Sequence, residues 1–217
     1  MKKLFGILVL GLLFNLYFLV YAVELPDYYT FPKNYLKGKF YDSFKDYFIV
    51  ATNKNTDPRF KNSVIVMLDH DEKGALGIII NKPLGKIPLG SLINKEEDTT
   101  NNKKELYDIK IPVFWGGPLD SNKILILHSN DYKNKTTKNY INISISSGKK
   151  VLFEIAEKKG PKYSLVILGV SAWSVGQLEG EMEKEIWALS EIDADLIFKI
   201  ENEKKWLNAI KNQFVPL

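Results

Sequence analysis

Short apolar runs separated by polar turn segments dominate the first half of the chain. Residues 47–52, 64–68 and 76–81 are each predicted to form a strand, and the polar loop containing Gly74 joins the last two as a hairpin. Pro83 is expected to end the second hairpin strand, because proline cannot donate a ladder hydrogen bond. The connections are short, which favours antiparallel pairing.

The second half mixes strand and helix patterns. The predicted strands are residues 113–115, 124–127, the alternating Ile141, Ile143 and Ile145, and 196–200, whereas residues 151–157 and 206–210 are predicted helices. Together these elements predict a single α+β domain. Its mixed, mostly antiparallel sheet is expected to be bent, with helices on its outside.

A strand that breaks into a helix is the most specific local pattern. Residues 165–168 are apolar and predict a buried strand, and an apolar stripe at helical spacing follows, formed by Leu178, Met182, Ile186 and Leu189. Ser174 and Gln177 stand three positions apart at the junction, as in a capping box. Trp173 is placed on the bend.

The N-terminus has the pattern of an export signal. Lys2 and Lys3 precede an almost wholly apolar run at 4–21, and small residues at Val20 and Ala22 suit a signal peptidase. Residues 1–22 are therefore predicted to be a signal peptide, or alternatively a membrane anchor, since the run is close to the length of a spanning helix. Residues 23–42 are predicted to be a linker or arm and 43–212 the folded domain. The protein is expected to be periplasmic or secreted, or anchored in the inner membrane.

Charge and composition exclude several function classes. The net charge of +4 falls to +2 if the two lysines of the signal peptide are removed, and Arg59 is the only arginine. Sequence-specific nucleic-acid binding is therefore not expected, because arginine is the commonest reader of guanine edges. The absence of cysteine excludes disulfides, thiolate nucleophiles and cysteine-ligated zinc.

The candidate catalytic residues lack recognisable partners. His70 stands among Asp69, Asp71 and Glu72, which could form a metal cluster, but a polar hairpin turn is the favoured interpretation. His128 ends a predicted strand, where a structural role is favoured over acid or base chemistry. Ser171 has the strand-to-helix setting of a nucleophile elbow. The α/β-hydrolase fold requires a histidine after that serine, however, and no histidine follows Ser171.

Taken together, the segments resemble the YqgE/AlgH family, also called UPF0301. The resemblance covers roughly residues 43–210 and is carried by four blocks in order: 48–52 with 57–60; 63–70 with 74–83; 116–118 with 127–129; and 169–173 with 176–179, Glu181, Trp187 and 195–198. It implies an α+β fold with a bifurcated sheet curled into a pseudo-barrel. It also implies an unsettled function, with transcriptional regulation proposed for the family, and no cofactor or active site.

The leading interpretation is a non-catalytic binding or interaction protein of this family, with an unknown protein or small ligand as partner, no catalytic residue, no metal and no cofactor. The alternatives are the family's proposed transcriptional regulator, or an unrecognised hydrolase or metal-dependent enzyme that uses His70 or His128. The candidate groove is bounded by three segments, whose residues are Asn81, Lys82 and Pro83; Gly116, Gly117 and Pro118; and Trp173, Gly176 and Gln177.

Overall fold

The computed structural model of the chain describes residues 43–93 and 104–213, together with two short strands before them. The predicted signal peptide and most of the predicted arm lie outside the described residues. The two short strands, β1 (Tyr35–Leu36) and β2 (Lys39–Phe40), pair with each other as an antiparallel hairpin. In the part of the chain that is described, no helix combines the length and apolar character needed to cross a bilayer.

Ten further strands form one sheet within the described residues. In chain order they are β3 (Tyr47–Ala51), β4 (Val64–Asp71), β5 (Gly74–Ile79), β6 (Pro83–Pro88), β7 (Lys110–Trp115), β8 (Leu119–His128), β9 (Lys138–Tyr140), β10 (Ile143–Ser146), β11 (Ser164–Trp173) and β12 (Trp187–Glu191). The α-helices of the same region are α1 (Leu89–Leu92), α2 (Lys149–Ala156), α3 (Gln177–Glu183), α4 (Ala194–Phe198) and α5 (Asn202–Lys211), and a 3-10 turn covers Lys104–Leu106.

The sheet forks at β11. Its main path runs β12-β3-β4-β5-β11-β8-β10-β9, and a branch of β6 and β7 joins it at β11. Residues 166–168 of β11 pair with β7 in parallel, whereas residues 171–173 pair with β5 in antiparallel fashion. The other strand pairs are antiparallel. The mostly antiparallel sheet curls into a half-barrel, which confirms the predicted α+β fold.

Two glycines after β7 allow three strands to converge at the fork. The Gly116 N–H donates to the Leu168 carbonyl over 2.7 Å, and the Gly116 carbonyl accepts from the Ile79 N–H over 3.0 Å. A Cβ on Gly117 would lie 2.3 Å from the Val170 backbone, and this residue also has a φ of +150°. The fork therefore depends on glycine both for close approach and for backbone conformation.

Both faces of the central strands are buried. In β3, Phe48 and Val50 face a core shared with α4 and α5, whereas Ile49 and Ala51 face a core shared with α3. A third core packs α1 and α2 against β7, β8 and β11. Because successive side chains of a strand point to opposite faces, two covered faces require a continuous apolar run. This arrangement places the helices outside the sheet, as predicted.

The helix predicted from the stripe at 178–189 is too long. Helix α3 ends at Glu183, and Glu185 adopts a φ of +57°, which turns the chain. Residues 187–191 then form β12, in which Leu189 pairs with Ile49. Ile186 packs against the core of Leu178 and Met182 from the turn, and Leu189 enters the same core from β12, so the apolar spacing continued although the helix had ended.

Two other predicted elements are also wrong. Residues 196–200 were expected to form a strand but belong largely to α4, whose N-cap is Asp193: its carboxylate accepts from the Asp195 N–H over 2.8 Å. Pro83 does not end the second hairpin strand. That strand, β5, ends at Ile79, and Pro83 begins the edge strand β6, where a missing N–H is tolerated.

Candidate functional site

A cavity of about 290 Å³ lies where the end of β11, helix α3 and the loop after β3 meet. We call it the tryptophan cavity. Its polar wall consists of Asn55, Thr56, Asp57, Arg59, Gln177 and Glu181. Its apolar wall consists of Phe60, Pro118, Leu119, Ala172, Trp173, Ile186 and Trp187. The volume is at the low end of the range for small-molecule sites.

The Glu181 carboxylate is fixed by both indoles of the cavity. Its Oε2 accepts from Trp173 Nε1 over 2.9 Å and from Trp187 Nε1 over 2.7 Å. Its Oε1 accepts from the Gln177 amide over 3.0 Å. These three donors are neutral, so they orient the carboxylate without neutralising its charge.

Aromatic rings form a connected row along the apolar wall. The Trp173 and Trp187 rings meet edge to face at 5.9 Å, and Phe60 meets Trp187 edge to face at 5.7 Å. Phe60 also lies 6.3 Å from Trp115. Such tilted pairs are favoured by the ring quadrupoles and make the wall rigid.

Local turns position the polar residues of the loop after β3. The Asn55 side-chain oxygen accepts from the Asp57 N–H, and the Asp57 carboxylate accepts from the Arg59 N–H. Asx turns of this kind fix a loop without secondary structure. The Arg59 guanidinium also donates to Asp57 and holds the pKa of that carboxyl below its ordinary value.

The Asn55 side-chain amide nitrogen has no hydrogen-bond partner. Asn55 is only 9% exposed, and this nitrogen is the single buried side-chain polar atom without a partner among the described residues. Burying an unpaired donor carries a cost in free energy, so such groups call for an explanation. Here the unpaired amide belongs to a residue that lines a cavity, although the nitrogen itself is buried.

The predicted groove is only partly contained in this cavity. Trp173, Gln177 and the neighbouring Pro118 line it, whereas Gly116 and Gly117 build the sheet fork behind it. Gly176, with a φ of +71°, occupies the N-cap position of α3. Half of the predicted capping box is present: the Gln177 side chain accepts from the Ser174 N–H over 3.1 Å.

The third predicted segment lies outside the cavity lining. The Asn81 side chain accepts from the Val64 N–H and donates to the Asn62 carbonyl, which pins a loop to the sheet. Lys82 donates to the Lys61 carbonyl over 3.0 Å, and partial burial lowers the pKa of Lys82. Pro83 is exposed at the start of β6. The groove that includes this segment stays a prediction.

His70 lies within β4 and is buried, so it does not belong to the hairpin turn where it was expected. Its Nδ1 accepts from the Phe44 N–H over 2.8 Å, so Nε2 carries the proton and donates to Glu179 over 2.8 Å. Asp69 and Asp71 are exposed on the opposite face of the strand. Both ring nitrogens of His70 are thus engaged within the core.

His128 is fully buried and has a partner that sequence spacing did not reveal. Its Nδ1 donates to the Ser129 carbonyl over 2.8 Å, which leaves Nε2 to accept from the Ser146 hydroxyl over 2.8 Å. Burial lowers the pKa of His128. A hydroxyl that donates to an imidazole resembles an activated nucleophile. His128 is 0% exposed and Ser146 is 1% exposed, however, so neither side chain is accessible to solvent.

The remaining catalytic candidates have structural surroundings. Ser171 is 1% exposed within β11 and donates to the Gly116 carbonyl over 3.1 Å, so it is not the exposed serine of a nucleophile elbow. Within the described residues, no group of three or more histidine, aspartate or glutamate side chains is arranged to hold a metal ion.

A larger cavity of about 410 Å³ lies between β12 and α5, and Trp187 separates it from the tryptophan cavity. Several of its polar side chains are engaged with the protein itself. Lys54 pairs with Glu185, and Trp206 Nε1 donates to the Ala51 carbonyl over 2.7 Å. The tryptophan cavity is therefore the stronger candidate site.

Comparisons with known proteins give a consistent result. A family model described as AlgH-like matches residues 48–217. UPF0301 proteins of Rickettsia canadensis and Rickettsia felis are 37% and 38% identical over 154 and 156 residues, and each match covers 70% of this chain and 79% of the relative.

Two solved structures are similar in fold. The solution structure of AlgH from Pseudomonas aeruginosa has a TM-score of 0.65 and 28% identity, and the match covers 78% of this chain and 88% of that chain. The X-ray structure of a Corynebacterium diphtheriae protein has a TM-score of 0.59 at 15% identity, covering 79% and 88% of the two chains. The second likeness concerns the fold alone.

Proposed function

We propose that this chain, which belongs to the AlgH-like (UPF0301) family of uncharacterised function, is a non-catalytic binding protein whose ligand enters the tryptophan cavity. The Glu181 carboxylate carries the proposal, because three neutral donors hold it in the cavity wall and no cation of the described residues forms an ion pair with it. Asn55 also lines the cavity, and its buried side-chain nitrogen has no acceptor among the described residues. A rigid aromatic wall beside a few fixed polar groups is the usual composition of a binding site.

The surroundings of the histidines favour binding over catalysis. Neither His70 nor His128 lines the tryptophan cavity, and each uses both ring nitrogens in buried hydrogen bonds. A general base must lie within hydrogen-bonding reach of the proton it removes. Of the two carboxylates that line the cavity, Asp57 is paired with Arg59 and Glu181 is held by two indoles, an arrangement suited to orienting and binding a ligand.

Blocking the cavity tests this proposal. Ala172 is an exposed residue that lines the cavity from β11, so Ala172→Trp fills the space without entering the core. We expect native mass spectrometry of protein purified from its own cells to detect a bound molecule that Ala172→Trp loses. Ile141→Trp, at a position 57% exposed and outside the lining, is the matched control and should retain it. Equal retention by both variants would contradict the proposal.

We also propose that the protein is exported and lies outside the cytoplasm or on its membrane. Lys2 and Lys3, the apolar run at 4–21 and the small residues around position 22 support export with cleavage after Ala22. Cell fractionation combined with mass spectrometry of the mature N-terminus tests it, and the expected first residue is Val23. An intact N-terminus in the membrane fraction would identify an anchor, and recovery in the cytoplasm would refute export.

A further inference from the structure

We propose that the ligand of the tryptophan cavity is an α-amino-carbonyl unit of about one residue: an ammonium group next to a carbonyl, with an apolar side chain. This inference rests on the binding function proposed above and names the chemistry of its ligand. This chemistry is that of the free N-terminus of a peptide, whose first carbonyl is uncharged.

The charged side chains of the tryptophan cavity favour a cationic ligand. Arg59 and Asp57 neutralise each other, with Nη2 and Oδ2 2.6 Å apart. Glu181 has no cationic partner among the described residues, although three neutral donors hold it in place. The cavity therefore carries one net negative charge, which favours a cation and disfavours a second carboxylate.

The Glu181 carboxylate has an unused hydrogen-bond acceptor position. Each carboxylate oxygen has about two lone-pair sites. Oε2 already accepts from two indoles, whereas Oε1 accepts only from Gln177. One acceptor position at Oε1 is left for a ligand donor. An ammonium there would form a charge-assisted hydrogen bond, which is stronger than a neutral one.

The aromatic wall fits the same cation. Trp173, Trp187 and Phe60 lie together beside the carboxylate. Aromatic rings attract ammonium groups through their quadrupoles, and tryptophan does so most strongly. The rest of the wall, which includes Leu119 and Pro118, is suited to an apolar side chain.

The Asn55 amide identifies the second polar group. Its N–H groups are buried donors without an acceptor, and a ligand carbonyl that reaches them when the side chain turns toward the cavity would supply one. A carbonyl meets this need without adding the charge that a carboxylate would bring near Glu181. A volume of about 290 Å³ has room for one residue rather than an extended peptide. An ammonium, a carbonyl and a side chain on adjacent atoms satisfy all three requirements.

The test compares three small probes by isothermal titration calorimetry: leucyl-glycyl-glycine amide, its N-acetylated form and free leucine. We expect the free-amine peptide to bind and acetylation to weaken binding at least about tenfold, because acetylation removes the charge. Free leucine, which places a carboxylate where the proposal requires an uncharged carbonyl, should bind much more weakly than the peptide. Leucine that binds as tightly as the peptide would overturn the requirement for an uncharged carbonyl, and equal binding of the acetylated peptide would overturn the requirement for the ammonium.

Variants separate this inference from the broader proposal. Glu181→Gln should weaken the free-amine peptide at least about tenfold without affecting any residual binding of the acetylated peptide, and Glu183→Gln, exposed on the same helix, should change neither. Asn55→Ser keeps an oxygen that can accept from the Asp57 N–H and loses the amide donors without adding charge, so it should also weaken binding. Near-ultraviolet circular dichroism verifies that each variant is folded. If none of the probes binds while Ala172→Trp still loses a native molecule, the ligand chemistry is refuted and the binding function stands.

Discussion

Lys205 is a buried cation whose removal should stabilise the protein. Its side chain is 2% exposed, with Nζ 3.5 Å from the Ile80 carbonyl oxygen and 5.7 Å from the centroid of the Phe114 ring. No carboxylate in the described residues forms an ion pair with it. Burial consequently lowers the pKa of Lys205 from 10.5 to about 8.

The size and sign of the effect follow from the two pKa values. Below pH 8 the lysine is protonated both folded and unfolded, so the full cost of burying its charge is present. Between pH 8 and 10.5 the folded protein releases this proton while the unfolded chain keeps it, and stability rises with pH. A difference of about 2.5 pKa units corresponds to at most about 3 kcal/mol.

The cost of burying the Lys205 charge can be measured by urea unfolding. The wild-type protein and Lys205→Met are compared from about pH 7 to about pH 10.5. Methionine has a similar shape without the charge, so the variant should be more stable at pH 7 by up to about 3 kcal/mol. That advantage should shrink steadily between pH 8 and 10.5. An advantage that did not vary with pH would refute the account of Lys205.

Lys204 provides the matched control, because it is exposed and pairs with Glu201 over 2.7 Å. The Glu201 carboxylate raises the pKa of Lys204. Lys204→Met should therefore lack the stabilisation seen with Lys205→Met. A similar gain in both variants would indicate a general effect of lowering the net charge.

Three pairs of substitutions test the fold around the site, each by urea unfolding. Gly117→Ala should destabilise the protein by at least about 2 kcal/mol, because its Cβ would collide with the β11 backbone, whereas Gly180→Ala in α3 meets nothing within 4 Å and should stabilise it by up to about 1 kcal/mol. Asp193→Ala should cost about 1 kcal/mol through loss of the α4 N-cap, and Asp193→Asn should restore most of it. His70→Leu should cost at least about 2 kcal/mol because Glu179 is left buried and unpaired, and adding Glu179→Leu should recover part of that loss.

The central strands were predictable because burial on both faces leaves a direct trace in the sequence. Residues 48–51 and 64–68 are apolar without interruption, since alternate side chains enter two different cores. The end of α3 left no comparable trace. Ile186 and Leu189 continue the helical spacing of Leu178 and Met182, and only the left-handed backbone at Glu185 reveals the turn. Spacing alone does not distinguish a helix from a short helix followed by a strand.

The candidate site was less predictable, because its parts come together only after the chain has folded. Trp173 and Gln177 were placed in the predicted groove, and both line the tryptophan cavity. Asn55 and Glu181 were not among the residues of the predicted groove. Glu181 joins the site because β12 returns Trp187 to the same carboxylate that Trp173 reaches from β11. No sequence motif indicates that Trp173 and Trp187 bind the same carboxylate.

Helix α3 connects the core to the proposed ligand site through two carboxylates. Glu179 and Glu181 are two positions apart, which directs them to different sides of a helix. Glu179 faces the core and accepts from His70, whose other nitrogen accepts from the Phe44 N–H. Glu181 faces the cavity. The buried contact thus fixes the rotation of a helix only seven residues long, and that rotation determines where the Glu181 charge lies. A preorganised carboxylate binds a cation with less loss of conformational entropy, so the buried histidine serves the site without contacting the ligand.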